Sequence, residues 1–160
     1  LKSFIPIFKK YYNNISSGDD MVNIKYNSNL NEGSFSEIIS SSISKDRFVQ
    51  YTTKGIHKDD LEFLIDGNKI KNFGSQGQQK SFLVSLKLAQ FEYYKEKLGS
   101  SPIVLLDDIF DKLDQDRVRQ IVNILEKNEF GQIFITDTHK ERVENALKDS
   151  SNKEEIFNIE

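Results

Sequence analysis

The chain has 160 residues, with 22 Lys plus Arg against 25 Asp plus Glu for a formal charge of −3, and no cysteine. That length suits one domain with a full hydrophobic core and a small added lobe. The charge argues against a strongly basic nucleic-acid arm, and the missing cysteines exclude disulfides and thiolate metal sites and fit a reducing cytoplasm.

No apolar run approaches the ~18 residues that a helical membrane span requires, so no membrane partner is expected. The opening Leu1-Lys2-Ser3-Phe4-Ile5-Pro6 has neither a signal-peptide layout nor a starting Met, and reads as beginning mid-protein. Phe4 to Ile15 is expected to form a helix with aromatic and aliphatic residues on one side, ending before Ser16-Ser17-Gly18. Val22 to Tyr26 alternates as a half-buried strand does, and Phe35 to Ser44 reads as a helix. Arg47 to Thr52 and Leu61 to Ile65 read as strands, the second followed by the hairpin signal Asp66-Gly67 and by Lys69-Ile70-Lys71.

At Phe73 the pattern changes to alternating helices and strands, which implies an α/β layer on a mostly parallel sheet flanked by helices. The expected elements are a long helix from Gln76 to Leu98, a strand from Ile103 to Leu106 and a helix from Gln115 to Lys127. A strand from Gln132 to Thr136, a helix from Lys140 to Lys148 and a last edge strand from Ile156 to Ile159 follow. The continuous apolar run Ile103 to Leu106 is of the kind buried at the centre of a parallel sheet, paired with Gln132 to Ile135 across the intervening helix. A boundary near residue 46 would separate a small mixed N-terminal portion, 1–46, from an α/β portion, 47–160.

Four segments point to chemistry. Ile103-Val104-Leu105-Leu106-Asp107-Asp108 ends an apolar strand in two acids at the edge where open α/β sheets bind ligands. Neighbouring side chains on a strand face opposite ways, so one acid can organise Mg²⁺, usually through water, while the other orients or deprotonates an attacking water. Phe73-Gly74-Ser75-Gln76-Gly77-Gln78-Gln79-Lys80 opens the long helix. Ser75 and Gln78 fit a capping box, and the same helix start, with free N–H groups and glycines, can receive a phosphate. Asp111-Lys112-Leu113-Asp114 places a candidate helix cap in Asp114. Thr136-Asp137-Thr138-His139 ends the next strand, with Thr138 and Glu141 fitting a second capping box.

In order and spacing these segments resemble the second half of an ABC-type ATPase. Their wording narrows the resemblance to the RecF family, through Ser75-Gln76-Gly77-Gln78-Gln79, Thr53 to Phe63, Leu105 to Asp114 and Gly131 to Thr136. The likeness runs from about Tyr51 to His139 and is looser before Gln50. It implies the C-terminal lobe of an ABC/SMC-like P-loop ATPase, with 1–46 ending a helical lobe. It also implies a DNA-binding ATPase of recombinational repair and replication that uses ATP and Mg²⁺, forms an ATP-dependent homodimer, and works with RecO and RecR partners in the cytoplasm. Ser75, Gln76, Gly77 and Gln78 would be the signature motif, acting in trans on a partner's nucleotide. Asp107 would be the Walker B acid that holds Mg²⁺ through water, and Asp108 the catalytic acid. Asp111, Leu113 and Asp114 would belong to the D-loop, and Thr136, Asp137 and His139 to the switch region. By offset from the strand, Asp137 and not His139 falls where ABC-type ATPases place their switch histidine. A transporter cassette would show two adjacent glycines in the signature, which this chain lacks; an SMC-like relative, or a lobe that only binds partners or DNA, remains an alternative. The 160 residues contain no Walker A motif: Gly77-Gln78-Gln79-Lys80-Ser81 ends in Lys-Ser but has Gln where a P-loop needs Gly.

Overall fold

The computed structural model describes residues 1–16, 18, 20–31, 33–127, 130–148 and 155–157. Its helices are α1 (Phe4–Ser16), α2 (Phe35–Val49), α3 (Ile70–Phe73), α4 (Gln76–Leu98), α5 (Gln115–Lys127) and α6 (Lys140–Leu147). Its strands are β1 (Val22–Asn27), β2 (Asp60–Ile65), β3 (Asn68–Lys69), β4 (Val104–Asp107) and β5 (Ile133–Thr136). Internal contacts divide the chain into two units, one made of Leu1–Asp20 with Gly74–Glu160 and the other of Met21–Phe73. The first unit joins distant parts of the sequence because α1 packs along α4.

In the first unit, α1 buries Phe8, Tyr11, Tyr12 and Ile15, the i, i+3, i+4, i+7 stripe of an amphipathic helix. Phe8 and Tyr12 meet Phe82 of α4, with ring centroids 4.6 and 6.1 Å apart. Helix α4 begins at a Ser75/Gln78 capping box and stops at Gly99, whose φ of 67° is the left-handed conformation that glycine adopts without strain. Strands β4 and β5 pair in parallel, Val104 opposite Ile133 and Asp107 opposite Thr136, with α5 as the crossover.

The run Ile103 to Leu106, expected to be buried throughout, is buried on one face only. Val104 and Leu106 are buried, whereas Leu105 is 71% exposed and Ile103 61%. Among the described residues β4 has β5 as its one strand neighbour and does not sit at a sheet centre. One face of the pair is packed; the other carries Ile103, Leu105 and half-exposed Phe134, an apolar surface left open. Residues 155–157 have no strand conformation, and Asn158 and Ile159 of the expected edge strand lie outside the described residues.

In the second unit, β1, β2 and β3 form an antiparallel sheet, and the β2–β3 turn at Asp66-Gly67 has positive φ at both residues (48° and 77°), as a type I′ hairpin requires. The expected strand from Arg47 to Thr52 is not formed. A capping box of Ser34 and Glu37 starts α2, and the helix runs through Val49 before Gln50 turns left-handed at φ 61°. Beyond it the Asp46 carboxylate accepts the Thr53 N–H (2.9 Å) and hydroxyl (2.6 Å) and the Ser42 hydroxyl (3.0 Å), folding the chain back on the helix end. These bonds, led by the Thr53 hydroxyl, hold the Asp46 carboxyl below its usual range.

The two faces of β4 make opposite demands. Leu106→Ala should cost about 2–5 kcal/mol, whereas Leu105→Ala should stay within about 0.5 kcal/mol, in denaturant unfolding of the chain. Equal losses at both positions would contradict the one-sided packing.

Candidate functional site

The polar site grows from the C-terminal end of the β4–β5 ladder. Asp107 is the last residue of β4, and its carboxylate accepts a hydrogen bond from the Thr136 hydroxyl across the ladder. The Asp108 N–H continues the ladder to the Thr136 carbonyl (3.0 Å) and also reaches the Thr136 hydroxyl (3.3 Å). Asp108 then departs from the strand with φ 47°, a left-handed conformation that costs a residue with a Cβ roughly 1–2 kcal/mol. Its carbonyl accepts a 2.6 Å hydrogen bond from the Lys80 ammonium on α4. Ile109 and Phe110, both buried, anchor the turn beneath.

The segment Asp111 to Asp114 rises from this anchor. Asp111 pairs loosely with Lys112 at 4.0 Å, Lys112 itself has φ 61°, and Leu113 is half-buried. Asp114 caps α5, as the sequence suggests: its Oδ1 accepts the Arg117 N–H at 2.9 Å, and its Oδ2 lies 3.4 Å from Arg117 Nε.

Helix α4 opens with Ser75 and Gln76 exposed. The Ser75 hydroxyl accepts the Gln78 N–H (3.2 Å), and the Ser75 N–H donates to Gln78 Oε1 (2.8 Å). Gln78 then donates through its amide nitrogen to the Asp20 carboxylate (3.2 and 3.3 Å), which also accepts the Tyr12 hydroxyl (2.9 Å). Gly77 is where the helix start meets the loop after β4. A Cβ built on it would stand 2.3 Å from the Arg117 guanidinium and 3.5 Å from the Lys112 carbonyl, so the absent side chain admits Arg117. The helix start and the loop 111–114 are therefore neighbours.

Beyond β5 the Asp137 side chain is 0% exposed; it accepts the His139 N–H (2.8 Å) and lies 3.5 Å from Arg142. His139 is exposed and stands as the N-cap of α6 without a side-chain bond. The Thr138/Glu141 capping box is thus not formed: Asp137 binds the His139 amide and the helix starts one residue later than that box needs.

Asp20, Lys80 (weighed only as the lysine of a P-loop match that fails) and Arg117 were not singled out as site residues in the sequence. Each acts across a long separation on a residue that was: Gln78, Asp108 and Gly77 respectively. The one local signal is the placement of Lys80 a helical turn after the Ser75–Gln78 box. Among the described residues no three His, Cys, Asp or Glu side chains converge. The chain therefore offers the exposed Asp107 carboxylate, which fits Mg²⁺ held mostly by water and phosphate oxygens and does not fit a metal caged by protein alone.

No family model matches the chain. It is 50% identical over 159 residues, 99% of its length, to the DNA replication and repair protein RecF of Flavobacterium johnsoniae, and 42% identical over 160 residues to that of Bacteroides thetaiotaomicron. It spans 44% and 43% of those two relatives, less than half of their length. Among solved structures, the recombination mediator protein RecF of the RecFOR pathway superimposes over 87% of this chain and 39% of its own. The TM-score is 0.66 at 25% identity for RecF-ATPrS and 0.68 at 24% for RecF-ATP. An SMC head bound to the C-winged helix domain of ScpA shares the fold over 85% of this chain and 34% of its own, with a TM-score of 0.50 at 17% identity. The fold of these residues is shared with part of RecF and part of the SMC head. No helix of the described residues is long and apolar enough to cross a membrane.

The Gly77–Arg117 contact predicts a non-additive pair. Gly77→Ala alone should stabilise by less than the about 1 kcal/mol that helix propensity grants, because the new methyl displaces the guanidinium. In an Arg117→Ala background the full gain should appear in thermal or urea unfolding. Identical effects in both backgrounds would show that the two residues do not touch.

Proposed function

We propose, on the premise that this chain is related to RecF along nearly its whole length, that it is the acid-bearing and nucleotide-sensing part of a RecF-like ATPase of DNA replication and repair. The observation that carries this reading is the paired-acid strand end. Asp107 and Asp108 close a parallel strand, Thr136 bonds both, and a capped helix start with an exposed serine lies next to the loop that follows.

In this reading the chain acts on two nucleotides. Toward the one held by its own subunit, Asp107 would hold Mg²⁺ through water. Bound there, Mg²⁺ would neutralise phosphate charge. Thr136, by donating to Asp107, fixes which carboxylate oxygen stays free. Asp108, turned away from the strand by its left-handed backbone, orients an attacking water and accepts its proton. Toward a partner's nucleotide, the start of α4 presents the Ser75 hydroxyl and the amides of Gln76, Gly77 and Gln78, a donor array at a positive dipole end that suits a γ-phosphate. Asp111, Leu113 and Asp114 would form the D-loop, with Asp114 holding Arg117 against Gly77. Asp137 and His139 would shape the switch region, Asp137 by ordering the loop and His139 from its exposed position. ATP then acts as the adhesive of a homodimer. DNA and RecO- or RecR-type mediators are the partners that kinship suggests, and the cytoplasm is the compartment. The further strands that would flank β4, and a P-loop, would come from outside these residues.

The test is hydrolysis in the full-length protein. Asp108→Asn should lower kcat by at least ~100-fold, the order expected for a lost general base, with the ATP dissociation constant within about twofold. The 160-residue chain alone should show no Mg²⁺-dependent turnover, since P-loop groups hold the β- and γ-phosphates. Parallel loss of binding and turnover in Asp108→Asn would assign that side chain to metal binding or folding, and turnover by the isolated chain would overturn the division of labour.

A further inference from the structure

We infer that Lys80 is a positioning residue that ties the aim of the Asp108 carboxyl group to the helix start at Ser75. The inference rests on Asp108 being the water-orienting acid, as proposed above.

Asp108 is held at both of its peptide groups, and by different elements. Its N–H is bound by β5 through the Thr136 carbonyl, and its C=O by α4 through the Lys80 ammonium at 2.6 Å. Between these bonds the backbone sits at φ 47°, a conformation a residue with a Cβ keeps only where its surroundings impose it. The direction in which the Asp108 side chain leaves the strand is therefore set by two hydrogen bonds, and one of them comes from the helix whose first turn carries Ser75, Gly77 and Gln78. Lys80 is half-buried, and its bond joins residues 28 apart in sequence. A second tie runs the same way: Arg117, in the helix after the loop, lies against Gly77. A displacement of α4 on engaging a partner's phosphate would reach the Asp108 turn directly through the Lys80 hydrogen bond. Charge-assisted bonds of this kind are short and strong enough to carry such a constraint. In a dimer with two nucleotides, occupancy read in trans by the helix start would set the readiness of the acid in cis.

The experiment compares Lys80→Met, which keeps length and removes the donor, with Lys80→Arg, which keeps a cationic donor, in the full-length protein beside Asp108→Asn. Lys80→Met should lower kcat by at least ~10-fold, within the range that a small misplacement of a reacting group produces. ATP affinity and ATP-dependent dimerisation should stay within about twofold, and Lys80→Arg should recover at least about half of the lost kcat. Wild-type kcat in Lys80→Met, with Asp108→Asn inactive, overturns the role of Lys80 and leaves the acid assignment standing. Normal turnover in Asp108→Asn overturns both. Loss of turnover and dimerisation together in Lys80→Met, without rescue by arginine, assigns Lys80 to folding and overturns the inference. Thermal melting of each variant guards the comparison. If Lys80→Met does not fold, Lys80→Arg decides, and a folded arginine variant losing ~10-fold or more in ATP affinity along with kcat counts against a positioning role.

Discussion

Asp108 leaves a parallel strand with a left-handed backbone, and the course of the chain from there to α5 depends on that turn being held. A left-handed residue with a Cβ has a nearby, less strained alternative, so its conformation persists only when neighbouring bonds and packing outweigh the difference. Here the Thr136 carbonyl and the Lys80 ammonium take the two peptide groups, and Ile109 and Phe110 sink into the core immediately afterwards. Once the turn is set, Asp114 arrives where it caps α5, and the first turn of α5 brings Arg117 to Gly77. The acids, the loop and the helix start are thereby parts of one mechanical assembly within a single unit of the chain.

The second unit is organised by different means. Its sheet is antiparallel, closed by a two-residue turn at Asp66-Gly67, and its helix α2 is finished by a carboxylate that binds back to Thr53. The stretch Thr53 to Phe63 that resembles RecF lies wholly in this unit. Gly55 adopts φ 125° there, and the His57 ring meets the Thr52 carbonyl at 3.1 Å. That motif is a folded local structure, with the Tyr26 hydroxyl bound to Asp59.

What could be read from the sequence follows from the range of the interactions involved. Helices α1 and α5 and strand β1 were legible because a 3.6- or two-residue period of apolar residues is a local signal. The caps at Ser75 and Asp114 were legible for the same reason, since a cap and its target lie three residues apart. Arg47 to Thr52 misled because Phe48, Val49 and Tyr51 suit a strand by composition, whereas the preceding capping box had already committed the backbone to a helix. Ile103 to Leu106 misled differently: four apolar residues in a row imply two covered faces, and this chain covers one. The contacts of Lys80 with Asp108, Asp20 with Gln78 and Arg117 with Gly77 span 28, 58 and, for the last pair, a full helix–strand–loop passage. No local period encodes them.

In the proposed reading the start of α4 meets a nucleotide held by a second subunit. Sedimentation of the full-length protein with and without ATP, wild type against Ser75→Arg, tests it most directly. Ser75 is exposed, and loss of its cap costs about 0.5–2 kcal/mol, which a domain stable by about 5–15 kcal/mol tolerates. The expected result is a folded variant that binds ATP and stays monomeric with it. A variant that melts a few degrees lower yet dimerises with ATP as the wild type does would reduce Ser75 to a helix cap and contradict the account.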